Sequence, residues 1–177
     1  HAALLRAINV GGNRKVPMKD LAAMFDKAGC TDVTTYIQSG NVIFGASVEL
    51  ASRVPALIDA AIQKKFGFSV PIALRTASEL QVTLKSNPFL GRKGAEEDSL
   101  HVAFLVDTPT PEQVASLDPA RSPPDEFQVI GRDLYLCFPA GVGRTKLTNQ
   151  YFDSKLKTVS TLRNWRTVQK LAELTSG

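Results

Sequence analysis

Apolar and polar positions along this chain keep two rhythms, and the switches between them outline the fold. Residues 2–10, AALLRAINV, form an apolar run that ends at Gly11-Gly12, the pattern of a buried strand and a turn. Pro17 presets a first helical turn, and Leu21, Ala22, Met24, Phe25 and Ala28 recur at helical spacing up to Gly29. DVTTYIQ and NVIF, on either side of Ser39-Gly40, read as a hairpin. Val54, Leu57, Ile58, Ala61, Ile62 and Phe66 mark an amphipathic helix over 48–66. SVPIALR, 69–75, reads as a strand, and Pro71 argues for a sheet edge. The order is β-α-β-β-α-β, that of a ferredoxin-like split βαβ unit.

A short helix is expected over 76–86, and then NPFLGRKGAEEDS, 87–99, collects Pro, Gly and acids in the manner of a linker. The order then begins again. LHVAFLV reads as a strand, TPEQVASL as a helix, and EFQVI and DLYLCF as a hairpin around Gly131-Arg132. A loop, PAGVGRTKLTN, leads to helical sequence that includes TLRNWRTVQKLAEL, 161–174. No residue-level repeat accompanies this, so the duplication is topological. The expected fold is α+β: two ferredoxin-like halves, 1–88 and 98–177, joined by a linker at 87–99. Each half is an antiparallel or mixed sheet with helices packed on one face.

If Ser39-Gly40 is a two-residue turn, Gln38 pairs with Asn41, Ile37 with Val42 and Tyr36 with Ile43. One face then carries Val33, Thr35, Ile37, Val42 and Phe44, an apolar set fit to meet helices. The other carries Thr34, Tyr36, Gln38, Asn41 and Ile43. Two readings stand for that mixed face. The amides of Gln38 and Asn41 read a planar polar ligand beside Tyr36, or they bond across the turn and close it.

Composition narrows the class. Hydrophobic residues make up 44% and charged residues 21% of 177, the balance of a globular chain. No apolar run is long enough for a membrane helix. Cys30 and Cys137 stand far apart, in no metal-ligand spacing, and are expected as reduced buried thiols of a cytoplasmic protein. The net charge is +4, and its placement says more than its size. Between 144 and 170 stand Arg144, Lys146, Lys155, Lys157, Arg163, Arg166 and Lys170, with Asp153 as the single acid. That leaves 14 basic and 16 acidic residues elsewhere. A basic cluster attracts phosphate or nucleic acid, or it is a solvated helix face.

Two Gly-rich loops carry candidate chemistry. NVGGNRKVP offers Asn9, Gly11, Gly12, Arg14 and Lys15 ahead of a helix, and GVGRTK offers Gly143, Arg144 and Lys146. Neither matches a nucleotide-binding fingerprint. Arg6 falls inside the first, central strand, where a charge needs a partner or an anion. On the terminal helix Arg163, Arg166 and Lys170 share one stripe, and Trp165 either stacks on a base or packs in the core. His101 sits mid-strand. No catalytic triad, metal-ligand cluster or cofactor motif can be assembled, so no metal and no cofactor are expected. Whether the protein is an enzyme stays open.

LLRAINVGGNRKVPMKDL, YIQSGNVIF, NPF and RNWRTVQKL together resemble the bacterial domain-of-unknown-function family 1697, in family order from residue 4 to about 174. The resemblance implies a small cytoplasmic protein of two α+β halves and carries no settled activity. It directs attention to Arg6, Asn9, Gly11, Gly12, Gln38, Ser39, Gly40, Asn41, Arg163, Asn164 and Trp165. Two positions depart from the family pattern: Ala7 stands where Gly is usual, and Arg166 where Asn is frequent.

Three functions fit these residues. The first is a binding module for single-stranded nucleic acid or a nucleotide, with charge from Arg144, Lys146, Arg163 and Arg166 and readout by Tyr36, Gln38 and Asn41. The second is an enzyme holding a small anionic substrate between the Gly-rich loops. The third is a partner-binding protein whose mixed sheet face is covered by a second chain. Both a monomer and a homodimer are compatible with the sequence.

Overall fold

A computed structural model describes residues 1–12 and 14–177. It has two four-stranded antiparallel sheets and six helices. In the first half the strands are β1 (Ala2–Leu5), β2 (Thr31–Tyr36), β3 (Asn41–Gly45) and β4 (Ile72–Arg75). Its helices are α1 (Met18–Lys27), α2 (Val48–Phe66) and α3 (Ala77–Lys85). The sheet order is β2-β3-β1-β4, the ferredoxin-like order. In the second half β5 (Leu100–Leu105), β6 (Glu126–Ile130), β7 (Asp133–Cys137) and β8 (Ser160–Asn164) are arranged β6-β7-β5-β8, the same order again. α4 (Pro111–Ala115), α5 (Asn149–Leu156) and α6 (Trp165–Ser176) complete it.

The chain divides into two compact units, 1–80 with 171–177, and 81–170. In the first unit the helices cover one sheet face. Leu21 and Phe25 of α1 and Val54, Ile58 and Ile62 of α2 meet Ala3, Leu5, Val42, Phe44 and Ile72 in one apolar core. The amphipathic spacing of both helices dictates this face. Ser47 starts α2 by accepting from Leu50 N at 3.2 Å, and Gly67 ends it in the left-handed conformation. In the second unit Tyr151, Phe152 and Leu156 of α5 meet Ala103, Leu105, Leu134, Leu136 and Phe138. There Thr110 and Gln113 form a reciprocal capping box at the start of α4.

Three expectations change. The first strand ends at Leu5, so Arg6 follows the strand instead of lying in it, half-buried. The hairpin turn spans four residues, 37–40, and Tyr36 pairs with Asn41, Thr35 with Val42 and Thr34 with Ile43. The pairing has slipped by two residues from that of a two-residue turn, which leaves each strand side chain on its expected face. Finally, residues 160–164 are a strand, not the first turn of a helix. β8 pairs with β5, Val102 opposite Arg163 and Ala103 opposite Leu162, and supplies the sixth element of the second βαββαβ set. The thiols of Cys30 and Cys137 are buried and free.

The sheet face away from α1 and α2 is not solvated. Ala2, Leu4, Asn41, Ala73 and Arg75 on it are all buried. Arg75 lies opposite Ala2 on β1, as Arg163 lies opposite Val102 on β5. Each guanidinium donates to the carbonyl of the residue before it, Leu74 O at 2.9 Å and Leu162 O at 2.8 Å. The topological repeat thus extends to one buried arginine per sheet.

Candidate functional site: two clasped loops at one end of the first sheet

The β1–α1 loop, 6–17, and the β2–β3 loop, 37–40, leave the same end of the first sheet. Asn9 ties them together. Its Nδ2 donates to Gln38 O at 2.9 Å and to Val16 O at 2.9 Å, while its Oδ1 accepts from Val16 N at 2.8 Å. Its backbone N donates to Arg14 O at 3.1 Å. Further backbone bonds fix the neighbours, Leu5 N to Gly40 O at 2.8 Å and Arg6 N to Pro71 O at 3.0 Å.

This clasp holds an unusual backbone. Ala7, Asn9, Arg14 and Ile37 all have φ between 49° and 57°, in the left-handed region. For Asn that is common; for a β-branched residue such as Ile37 it is a true outlier. Gly40, at φ 78°, has no alternative, because a Cβ there would stand 2.8 Å from Leu5 Cβ and from Ile8 Cγ1. Such strain persists only where the surrounding structure over-determines it.

The surface these loops present is apolar at its centre and basic at its side. Val10 is 62% exposed and Ile37 49%, and each is the direct neighbour of one end of the Asn9–Gln38 bond. Arg14 and Lys15 are exposed, and among the described residues neither has a carboxylate within ion-pair reach. The Arg14 guanidinium lies over the Phe68 ring at 5.8 Å, which limits its sweep. Gly11 and Gly12 are exposed, with open space beside them.

The structure brings Asn9, Gly11, Gly12, Arg14, Lys15, Gln38 and Ser39 to this end of the sheet, with Arg6 and Tyr36 half-buried at its margin. Asn41 is wholly buried, and its Nδ2 donates to Tyr36 O at 3.1 Å and to Ser39 Oγ at 3.0 Å. It closes the turn. Gln38 contributes its carbonyl to the clasp and keeps its side chain exposed.

The C-terminal candidates separate. Arg163 lies on β8, not on a helical stripe; it is buried, and burial pulls its pKa down to about 10. Its Nη1 donates to Thr161 Oγ1 at 2.9 Å. Asn164 Oδ1 accepts from Thr167 N at 2.8 Å and caps α6. Trp165 is 2% exposed and offers no face to a base. Arg166 is exposed but pairs with Asp98 at 2.9 Å. The acidic run 96–98 is exposed, as expected of a solvated segment, and two of its acids reach α6, Asp98 through that pair and Glu97 by accepting from Gln169 at 3.2 Å. Gly143, Arg144 and Lys146 lie exposed on the β7–α5 loop of the second unit.

His101 is buried against Phe138, and burial holds its pKa below the ordinary value of 6.5. Among the described residues no group of three or more His, Cys, Asp or Glu side chains could hold a metal, and no helix is long and apolar enough to cross a membrane.

A doubled ferredoxin-like α+β protein with a clasped, strained loop pair is the class this geometry defines. The chain belongs to the protein family of unknown function DUF1697, whose model matches residues 1–135. The RNWR segment, 163–166, lies outside that match. Among curated proteins nothing matches. Among solved structures it is similar to the conserved bacterial protein SP0830 from Streptococcus pneumoniae, at 20% identity and a TM-score of 0.71. The alignment covers 99% of this chain and 97% of that one. At that identity the likeness speaks for the fold alone.

Proposed function

We propose that this protein is a binding module for a phosphate-bearing ligand with a planar base, and that the clasped loops hold it. The observation that carries the reading is the placement of two exposed apolar residues, Val10 and Ile37, on the same clasped loops as Arg14 and Lys15, cations with no carboxylate partner among the described residues, with Ile37 and Arg14 in the left-handed region. A flat apolar spot flanked by cations suits a base and its phosphate. The hydrogen bonds of Asn9 hold the two loops together without a ligand, which lowers the ordering cost of binding. Gln38, exposed beside Ile37, has donors and an acceptor for a base edge.

Calorimetric titration with ATP and with a twelve-nucleotide oligo-dT, at low and high salt, tests this. Binding of either is expected, and Arg14→Ala with Lys15→Ala is expected to weaken it about tenfold or more. Oligonucleotide affinity that falls steeply with salt identifies nucleic acid, because each phosphate contact releases counterions. ATP affinity with a shallow salt slope identifies a nucleotide. No binding of either, or binding unchanged in the double variant, refutes the assignment.

A further inference from the structure

The second unit holds a second cluster of cations, and one member was not singled out by its sequence. Arg121 lies in the loop after α4. Its Nε donates to Lys146 O at 3.1 Å, and its guanidinium stands 4.0 Å from the centre of the Tyr151 ring. Tyr151 is itself fixed: it is buried on α5, and its hydroxyl accepts from Asp118 N at 2.8 Å. The 118–125 and 145–151 segments are joined once more by Lys146 N, which donates to Ser122 Oγ at 3.0 Å. The ring contact and the Nε anchor together restrain the Arg121 guanidinium, and its two terminal nitrogens remain for solvent or a ligand.

Arg121, Arg144 and Lys146 are all exposed, and among the described residues none has a carboxylate within ion-pair reach. The acids of the neighbouring segment are engaged by that segment's own donors. Asp118 Oδ1 accepts from Ala120 N at 2.9 Å, and the buried Asp125 accepts from Ser122 Oγ at 2.8 Å. An arginine restrained over an aromatic ring, with a lysine on the segment it anchors and an arginine two residues earlier, is suited to a tetrahedral oxyanion. The fork gives two parallel donors and the flanking cations give point charges.

We infer that Arg121, with Lys146 and Arg144, forms a phosphate-binding site on the second unit, in which Arg121 is the fixed fork. The group bound is a phosphate, carried either by a small molecule or by a nucleic-acid backbone. The site is independent of the clasped loops of the first unit, and loss of one leaves the other standing.

The test is an amide and arginine-side-chain NMR titration of the full chain with inorganic phosphate, AMP and a twelve-nucleotide oligo-dT, followed for Arg121→Lys and Lys146→Ala. Shifts of the Arg121 Nε–H and the 144–146 amides are expected with at least one probe. Arg121→Lys, which keeps the charge but loses the fork, is expected to weaken that binding about tenfold, with amides of Gly11 and Gly12 responding as in the wild type. Response to phosphate and AMP assigns a small-molecule source; response to the oligonucleotide alone assigns a backbone. Both support the site. No response at 121 and 144–146 to any probe, or Arg121→Lys binding as well as the wild type, overturns it. Unchanged thermal unfolding of Arg121→Lys shows that a lost response is not lost folding.

Discussion

Position 7 shows how a single residue carries a trace of the backbone around it. Ala7 has φ 52°, in the left-handed region. That backbone makes Ala7→Gly a relief of strain. The change is expected to raise stability by up to about 1 kcal/mol in urea unfolding. Gly40 is the converse. Gly40→Ala meets both a φ of 78° and contacts at 2.8 Å, and is expected to cost about 2–4 kcal/mol. Gly11→Ala, at φ 59° in open space, should cost only about 1 kcal/mol. Ile37→Asn separates stability from binding. Asn tolerates the left-handed region, so the variant should be as stable as the wild type or more stable by up to about 1 kcal/mol, yet bind ligand more weakly. A variant that is destabilised and binds normally would show that Ile37 serves packing alone.

At the scale of elements, the sequence was readable wherever a period ran long. The rhythm over 48–66 gives α2 to the residue, and Gly131-Arg132 gives the second hairpin. It was not readable where two elements meet without a breaker. β8 and α6 adjoin at Asn164 and Trp165, so one long apolar pattern hides a five-residue strand. Two signals were present: the run TVST, β-branched at Thr158, Val159 and Thr161, and Asn164 standing three residues before Thr167 as a cap. Asn164→Ala is expected to cost about 1 kcal/mol by loss of that cap, and Asn164→Ser or Asp to recover most of it. The hairpin failed differently. Turn length was not fixed by Ser39-Gly40, because Asn41 and Asn9 bond into a wider loop, and such bonds link residues far apart in sequence.

For the whole molecule, two units of the same strand order were legible in the sequence, whereas the site was legible only in part. Seven cations between 144 and 170 read as one basic surface. Folding scatters them: Arg163 is buried, Arg166 is paired with Asp98, and Lys146 is joined through its carbonyl to Arg121 from another loop. Linear charge counts cannot see that regrouping. The buried His101 sets a pH response of the fold. Its pKa is held below 6.5 by burial, so the unfolded chain binds more protons near that pH. Stability is therefore full above about 6.5 and declines as pH falls toward the folded value. Urea midpoints from pH 7.5 down to about 5 should show this decline, and His101→Phe should flatten it.

The central claim is that the clasped loops of the first unit are a binding surface. An amide NMR titration with ATP and oligo-dT, reading Gly11, Gly12, Ile37, Gln38 and Gly40, tests it most directly. Shifts are expected to saturate at these residues with one of the two ligands and to vanish in Arg14→Ala/Lys15→Ala, whose spectrum otherwise stays folded. Spectra in which these five amides stay fixed while ligand binds elsewhere, or in which neither ligand moves them, would contradict it.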